Sequence, residues 1–111
     1  MPQYTEKRQH VRYAYDAGVE MRTENSGGGY WGTLADICLG GCYINTFSPL
    51  PTGTSVVLLI KTSEAEINAN GTIVSSHPGV GMGIEFRGFV TEHDEAQLNN
   101  LIGSLARAAT A

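Results

Sequence analysis

Basic residues are scarce in this chain. Seven lysines and arginines stand against eleven acids, a formal net charge of −4. That balance argues against the broad cationic face on which nonspecific DNA or RNA binding depends, so no nucleic-acid partner is expected. No apolar run approaches the roughly 18 residues of a membrane span. The opening Met1-Pro2-Gln3-Tyr4-Thr5-Glu6 is too polar for a signal peptide, and the expected compartment is the cytoplasm. Only two cysteines are present, and in that compartment Cys38 and Cys42 are expected as reduced thiols. In a straight strand they would lie about 13 Å apart at ~3.3 Å per residue, too far for a bridge. A glycine turn between them shortens the path, so a disulfide stays open, but two small buried residues is the favoured reading.

Signs of catalysis are also missing. His10, His77 and His93 lie in three separate contexts, and none stands in metal-ligand spacing with the cysteines. Each reads as a surface residue. There is no serine nucleophile elbow and no Walker-type phosphate loop. Gly81-Met82-Gly83 lacks the third glycine and following helix of a dinucleotide fingerprint. No catalytic site, metal site or cofactor is expected.

What the chain does have is pattern. Its 111 residues suit one domain with one core, and fourteen glycines against four prolines indicate turns and bulges. Tyr13, Tyr15, Ala17, Val19 and Met21 alternate with Asp16, Glu20 and Arg22, the period of a half-buried strand. A turn at residues 25–29 follows, then a strand from Tyr30 to Ile37 with Trp31 as its largest apolar contribution. Cys42-Tyr43-Ile44-Asn45-Thr46 is the next strand, and Ser48-Pro49-Leu50-Pro51-Thr52-Gly53-Thr54 a rigid loop.

Ser55-Val56-Val57-Leu58-Leu59-Ile60 is apolar on both faces and reads as a central, well-buried strand. Ser63 and Glu64 mark a turn. Residues 66–74 alternate again, with Gly71 as a bulge or bend. Val80, Met82, Ile84 and Phe86 share one face of a last strand, with Gly81 and Gly83 on the other. Thr91 can then cap a helix whose Leu98, Leu101, Ile102 and Leu105 form a core-facing stripe. About six short strands and one amphipathic helix point to a small barrel or sandwich.

Two local features carry binding chemistry. The corner at residues 36–41 sets the carboxylate of Asp36 before a Gly40-Gly41 pair, where glycine permits positive φ and close approach of a ligand. Near the N-terminus, Arg8 and Arg12 fall on one side of either a helix or a strand. Two arginines can clamp phosphate oxygens and read the O6/N7 edge of guanine. A carboxylate can accept from guanine N–H groups, and bare glycine admits a purine.

Arg8-x-x-x-Arg12, followed about 24 residues later by Asp36-x-Cys38-x-x-Gly41, resembles the two-part signature of the PilZ domain, RxxxR and then [DN]xSxxG. The strand after the Pro/Gly loop, the Gly81-Met82-Gly83-Ile84-Glu85-Phe86 strand and the terminal helix resemble the second half of such a domain. The resemblance implies a mainly β fold, a six-stranded antiparallel barrel over residues 13–90 with a C-terminal helix at 91–108. It implies a cyclic di-GMP receptor whose residues 1–12 are a flexible switch segment, with Arg8 and Arg12 on phosphate and guanine. Asp36, Cys38 and Gly41 would line the nucleotide pocket, and binding would reposition a surface for a downstream protein.

The family serine is Cys38 here, and a thiol is a weak donor and acceptor. Losing one hydrogen bond costs on the order of 1 kcal/mol, roughly tenfold in affinity. Two alternatives stand beside the receptor reading. One is a PilZ-like protein-interaction adaptor with weak or no nucleotide binding. The other is a barrel that stacks single-stranded nucleic acid on Tyr13, Tyr15, Tyr30 and Trp31, against which the net acidity counts.

Overall fold

The computed structural model describes residues 11–23, 29–63 and 65–110. Arg8, residues 25–28 of the first turn and Glu64 lie outside them. Six strands and one helix follow in order: β1 (Tyr13–Thr23), β2 (Tyr30–Ile37), β3 (Gly41–Asn45), β4 (Ser55–Lys61), β5 (Glu66–His77), β6 (Gly81–Phe89) and α1 (Glu92–Thr110). The strands close into a barrel in the order β1-β2-β3-β6-β5-β4, every neighbouring pair antiparallel. This is the mainly β, six-stranded barrel with a C-terminal helix that the resemblance implied.

The period-two pattern of each strand places one set of side chains inside. Val19, Met21, Leu34, Ile44, Leu58, Ile60 and Ile73 are among those withdrawn from solvent. Each such side chain contributes roughly 1.5–3 kcal/mol on burial. The predicted bulge is present, with the β5–β6 register slipping between Asn70 and Gly71. Gly71 sits there because a β-carbon would lie 2.6 Å from Ile84 Cγ2.

Three expectations about faces need correction. Trp31 is no core residue. It is 62% exposed, and Lys61 Nζ sits 5.3 Å from its ring centroid, a cation–π contact. The inward slot beside it belongs to Gly32, where a β-carbon would meet Ile44 Cγ2 at 2.5 Å. β4 is buried on one face only: Val56, Leu58 and Ile60 point inward while Val57 is exposed, because α1 packs chiefly on β5, β6 and β1. Val80 lies in the turn before β6 and is exposed, so it does not share the inward face of Met82 and Ile84; Gly81 and Gly83 do take the outward positions, and are buried there beneath other side chains.

α1 touches strands that are not all neighbours around the barrel, so it lies across one mouth. Leu98 and Ile102 join the barrel core, and Leu101 and Leu105 pack against it. Thr91 caps the helix: its hydroxyl accepts from the Asp94 N–H at 3.1 Å, and the Asp94 carboxylate accepts from the Thr91 N–H at 3.0 Å. Among the described residues no helix is long and apolar enough to cross a membrane.

Candidate functional site

The mouth covered by α1 also holds the start of β1, the end of β2, the start of β3 and the end of β6, as their registers require. The corner at residues 38–41 therefore lies on this rim. The Cys38 N–H donates to the Gly41 carbonyl at 2.9 Å, and the Phe86 N–H donates to the Gly40 carbonyl at 2.9 Å. β6 thus holds the corner from the side. Gly53 and Gly79 have positive φ, whereas Gly40 and Gly41 do not. Gly41 is required for a different reason: a β-carbon on it would run into the Ile84 carbonyl oxygen. The sequence suggested backbone freedom, and the packing shows close strand approach.

Asp36 projects from β2 opposite Ala14 of β1. Arg12 precedes Ala14 by two residues, hence on the same side of an extended chain, and its Nη1 reaches Asp36 Oδ1 at 2.6 Å. The pair joins two halves of the motif separated by 24 residues. Their side chains remain 44% and 32% exposed. An ion pair so open to water is worth about 0.2–1 kcal/mol, little enough for an anionic ligand to compete for the arginine.

The two cysteines are buried and unbridged. Cys38 is 5% exposed, so little of its side chain reaches the surface. Cys42 pairs with Ile37 across the β2–β3 hairpin and points into the core. Burial pushes its thiol well above the ordinary range. The nearby Asp36 and Cys38 push the same way, and Arg12 only partly offsets them. Cys42 is a neutral packing residue, since thiolate is the reactive form.

Of the five expected site residues, Arg12, Asp36, Cys38 and Gly41 gather around one rim of the barrel, and Arg8 lies outside the described residues. Sequence reading missed Tyr43, which stands opposite Asp36 in the β2–β3 register and whose hydroxyl is hydrogen-bonded to His77 Nδ1 at 3.0 Å. The available signal was the strand alternation, which sets Tyr43 between the inward Cys42 and Ile44. Among the described residues no group of three or more His, Cys, Asp or Glu side chains is arranged to hold a metal ion.

The family model of the PilZ domain matches residues 6–104. No curated protein matches the chain. Among solved structures, the PilZ domain with cyclic di-GMP of YcgR from Escherichia coli superposes with a TM-score of 0.73 at 16% identity, covering 93% of this chain and 94% of that one. The PilZ domain of CeSA from a cellulose-synthesizing bacterium gives 0.65 at 18% identity, with coverages of 86% and 98%. The MrkH complex with cyclic di-GMP from K. pneumonia gives 0.74 at 18% identity, covering 93% of this chain and 53% of MrkH. The chain thus spans about half the length of MrkH. At these identities the likeness is one of fold.

Proposed function

The chain belongs to the PilZ domain family, and from that premise we propose that it is a receptor for cyclic di-GMP. The observation that carries the reading is the Arg12–Asp36 ion pair, which brings both halves of the family motif to one place on the barrel wall. Arg12 and Arg8 take the phosphates and a guanine O6/N7 edge, the arrangement that suits a planar guanidinium. Asp36 accepts from guanine N–H donors once Arg12 turns from it to the ligand. Gly40 and Gly41 leave backbone without side chains beside the base. The YcgR and MrkH structures that share the fold hold cyclic di-GMP.

In this reading the ligand replaces an internal ion pair with several charge-assisted contacts. Binding orders residues 1–12 along the barrel, and the ordering cost is offset by two arginines on a doubly anionic ligand. The reordered segment changes the surface offered to a downstream protein. No bond is made or broken, and the protein acts as a receptor and not an enzyme.

Thermal unfolding with and without cyclic di-GMP tests this. At a hundred times Kd a ligand adds about 2.7 kcal/mol of stability, a rise in midpoint on the order of 10 °C for a domain of this size. Arg8→Ala and Arg12→Ala should abolish the rise, and Asp36→Ala should shrink it while leaving the ligand-free midpoint nearly unchanged. An undiminished rise in the arginine variants would refute the assignment. A second reading, a protein-interaction adaptor, is favoured by Cys38, buried where the family has serine. It requires the same partner to be retained with and without nucleotide and in the double arginine variant.

A further inference from the structure

The outer wall beside the corner contains an aromatic floor that the family motif does not include. Tyr43 on β3 lies opposite Asp36 on one side and Gly83 of β6 on the other. A β-carbon on Gly81 would lie 2.7 Å from Tyr43 Cε2, and one on Gly83 would lie 3.8 Å from Tyr43 Cδ1. Those two ring atoms are diagonally opposite, so the ring reaches over both glycines. The glycines are buried for this reason.

Two further contacts hold the ring down. Its hydroxyl is hydrogen-bonded to His77 Nδ1 at 3.0 Å, and the His77 ring lies 6.0 Å away at 31°. Beside it, Ser75 Oγ accepts from the Gly83 N–H at 3.2 Å and fills the space a β-carbon on Gly83 would need. Tyr43 is only half-buried. The glycines take up part of the ring, and the remainder is open to solvent. Residues directly opposite in an antiparallel pair have β-carbons about 4.5–5.5 Å apart, so Tyr43 and Asp36 leave neighbouring points of the wall, the ring leaning over β6 toward His77 and the carboxylate toward Arg12.

We propose that Tyr43 is a base-stacking platform, braced by His77, on which a guanine of the bound nucleotide lies while Asp36 engages its edge. The inference rests on the receptor reading and names a contact residue for the same site. An aromatic face binds any nucleobase, and the adjacent carboxylate adds the preference for a base that presents N–H donors. His77 acts as a positioning residue through the tyrosine hydroxyl.

Titration of the full chain with cyclic di-GMP, for wild type and four variants, tests it. Base–aromatic stacking is worth about 1–3 kcal/mol, so Tyr43→Ala should weaken binding by roughly 5- to 150-fold at about 1.4 kcal/mol per decade. Tyr43→Leu, which still covers Gly81 and Gly83 but has no π-face, should lose a similar factor. Tyr43→Phe should stay within about threefold of wild type, and His77→Ala should fall between. In NMR spectra the Tyr43 ring protons should move upfield on saturation, a shift that a purely structural tyrosine would not show. Wild-type binding with Tyr43→Leu equally tight, or with unmoved ring protons, overturns the platform alone. Absence of binding by wild type overturns the receptor reading and the platform with it.

Discussion

Gly41 and Asp36 stand five positions apart and answer to different constraints. Gly41 is held by packing, since a β-carbon there collides with the Ile84 carbonyl, a backbone atom that cannot rotate away. Gly41→Ala should therefore cost about 1–3 kcal/mol, several degrees in the thermal midpoint, whether or not nucleotide is present. A midpoint equal to that of wild type would show that the corner relaxes freely. Asp36 is exposed enough that its ion pair contributes little to stability, so packing does not dictate the residue there as it does at position 41. The sequence placed both residues in one motif. It did not distinguish them, because the Ile84 oxygen that constrains Gly41 is supplied from 43 positions further along.

Among the elements, α1 depends on one buried carboxylate. Asp94 is 4% exposed and accepts from the Thr91 N–H and hydroxyl and from the Asn68 backbone and side chain. Burial alone would raise its pKa. The bonds from Asn68 and Thr91 outweigh that and leave it below the usual carboxylate range. A carboxyl lowered in the folded state lends stability above its unfolded pKa of about 3.9, and the stability is lost as pH falls through the lower folded value. The wild type should thus lose stability in acid below about pH 4. Asp94→Asn should be less stable than wild type at neutral pH by about 1–3 kcal/mol, with the gap closing in acid. Urea unfolding monitored at both pH values checks this, and a gap independent of pH would contradict it.

Strand spacing, the Gly71 bulge and the Thr91 cap were legible because each is written in neighbouring residues. The tie from Asp94 to Asn68 spans 26 positions and leaves no local trace. Trp31 was misplaced for a related reason. Alternation fixes which residues share a face, but the Gly32–Ile44 contact decides which face turns inward. The apolar outer side of β4 misled in the same way, since a continuous hydrophobic run signals burial on both faces only where another layer covers it.

At the scale of the molecule, a closed barrel with a helix across one mouth brings Arg12, Asp36, Cys38 and Gly41 to the same rim. Three of the seven basic residues, Lys7, Arg8 and Arg12, fall in the first twelve positions of a chain whose net charge is −4, and for that reason the anion contacts are proposed there. That pairing of distant segments was legible only through the family motif, because spacing in sequence says nothing of which strand lies beside which. Isothermal titration of the wild-type protein with pure cyclic di-GMP tests the central claim most directly. The account predicts saturable binding, weaker at higher salt because the proposed arginine–phosphate contacts are screened. No heat on titration to the high micromolar range would contradict it.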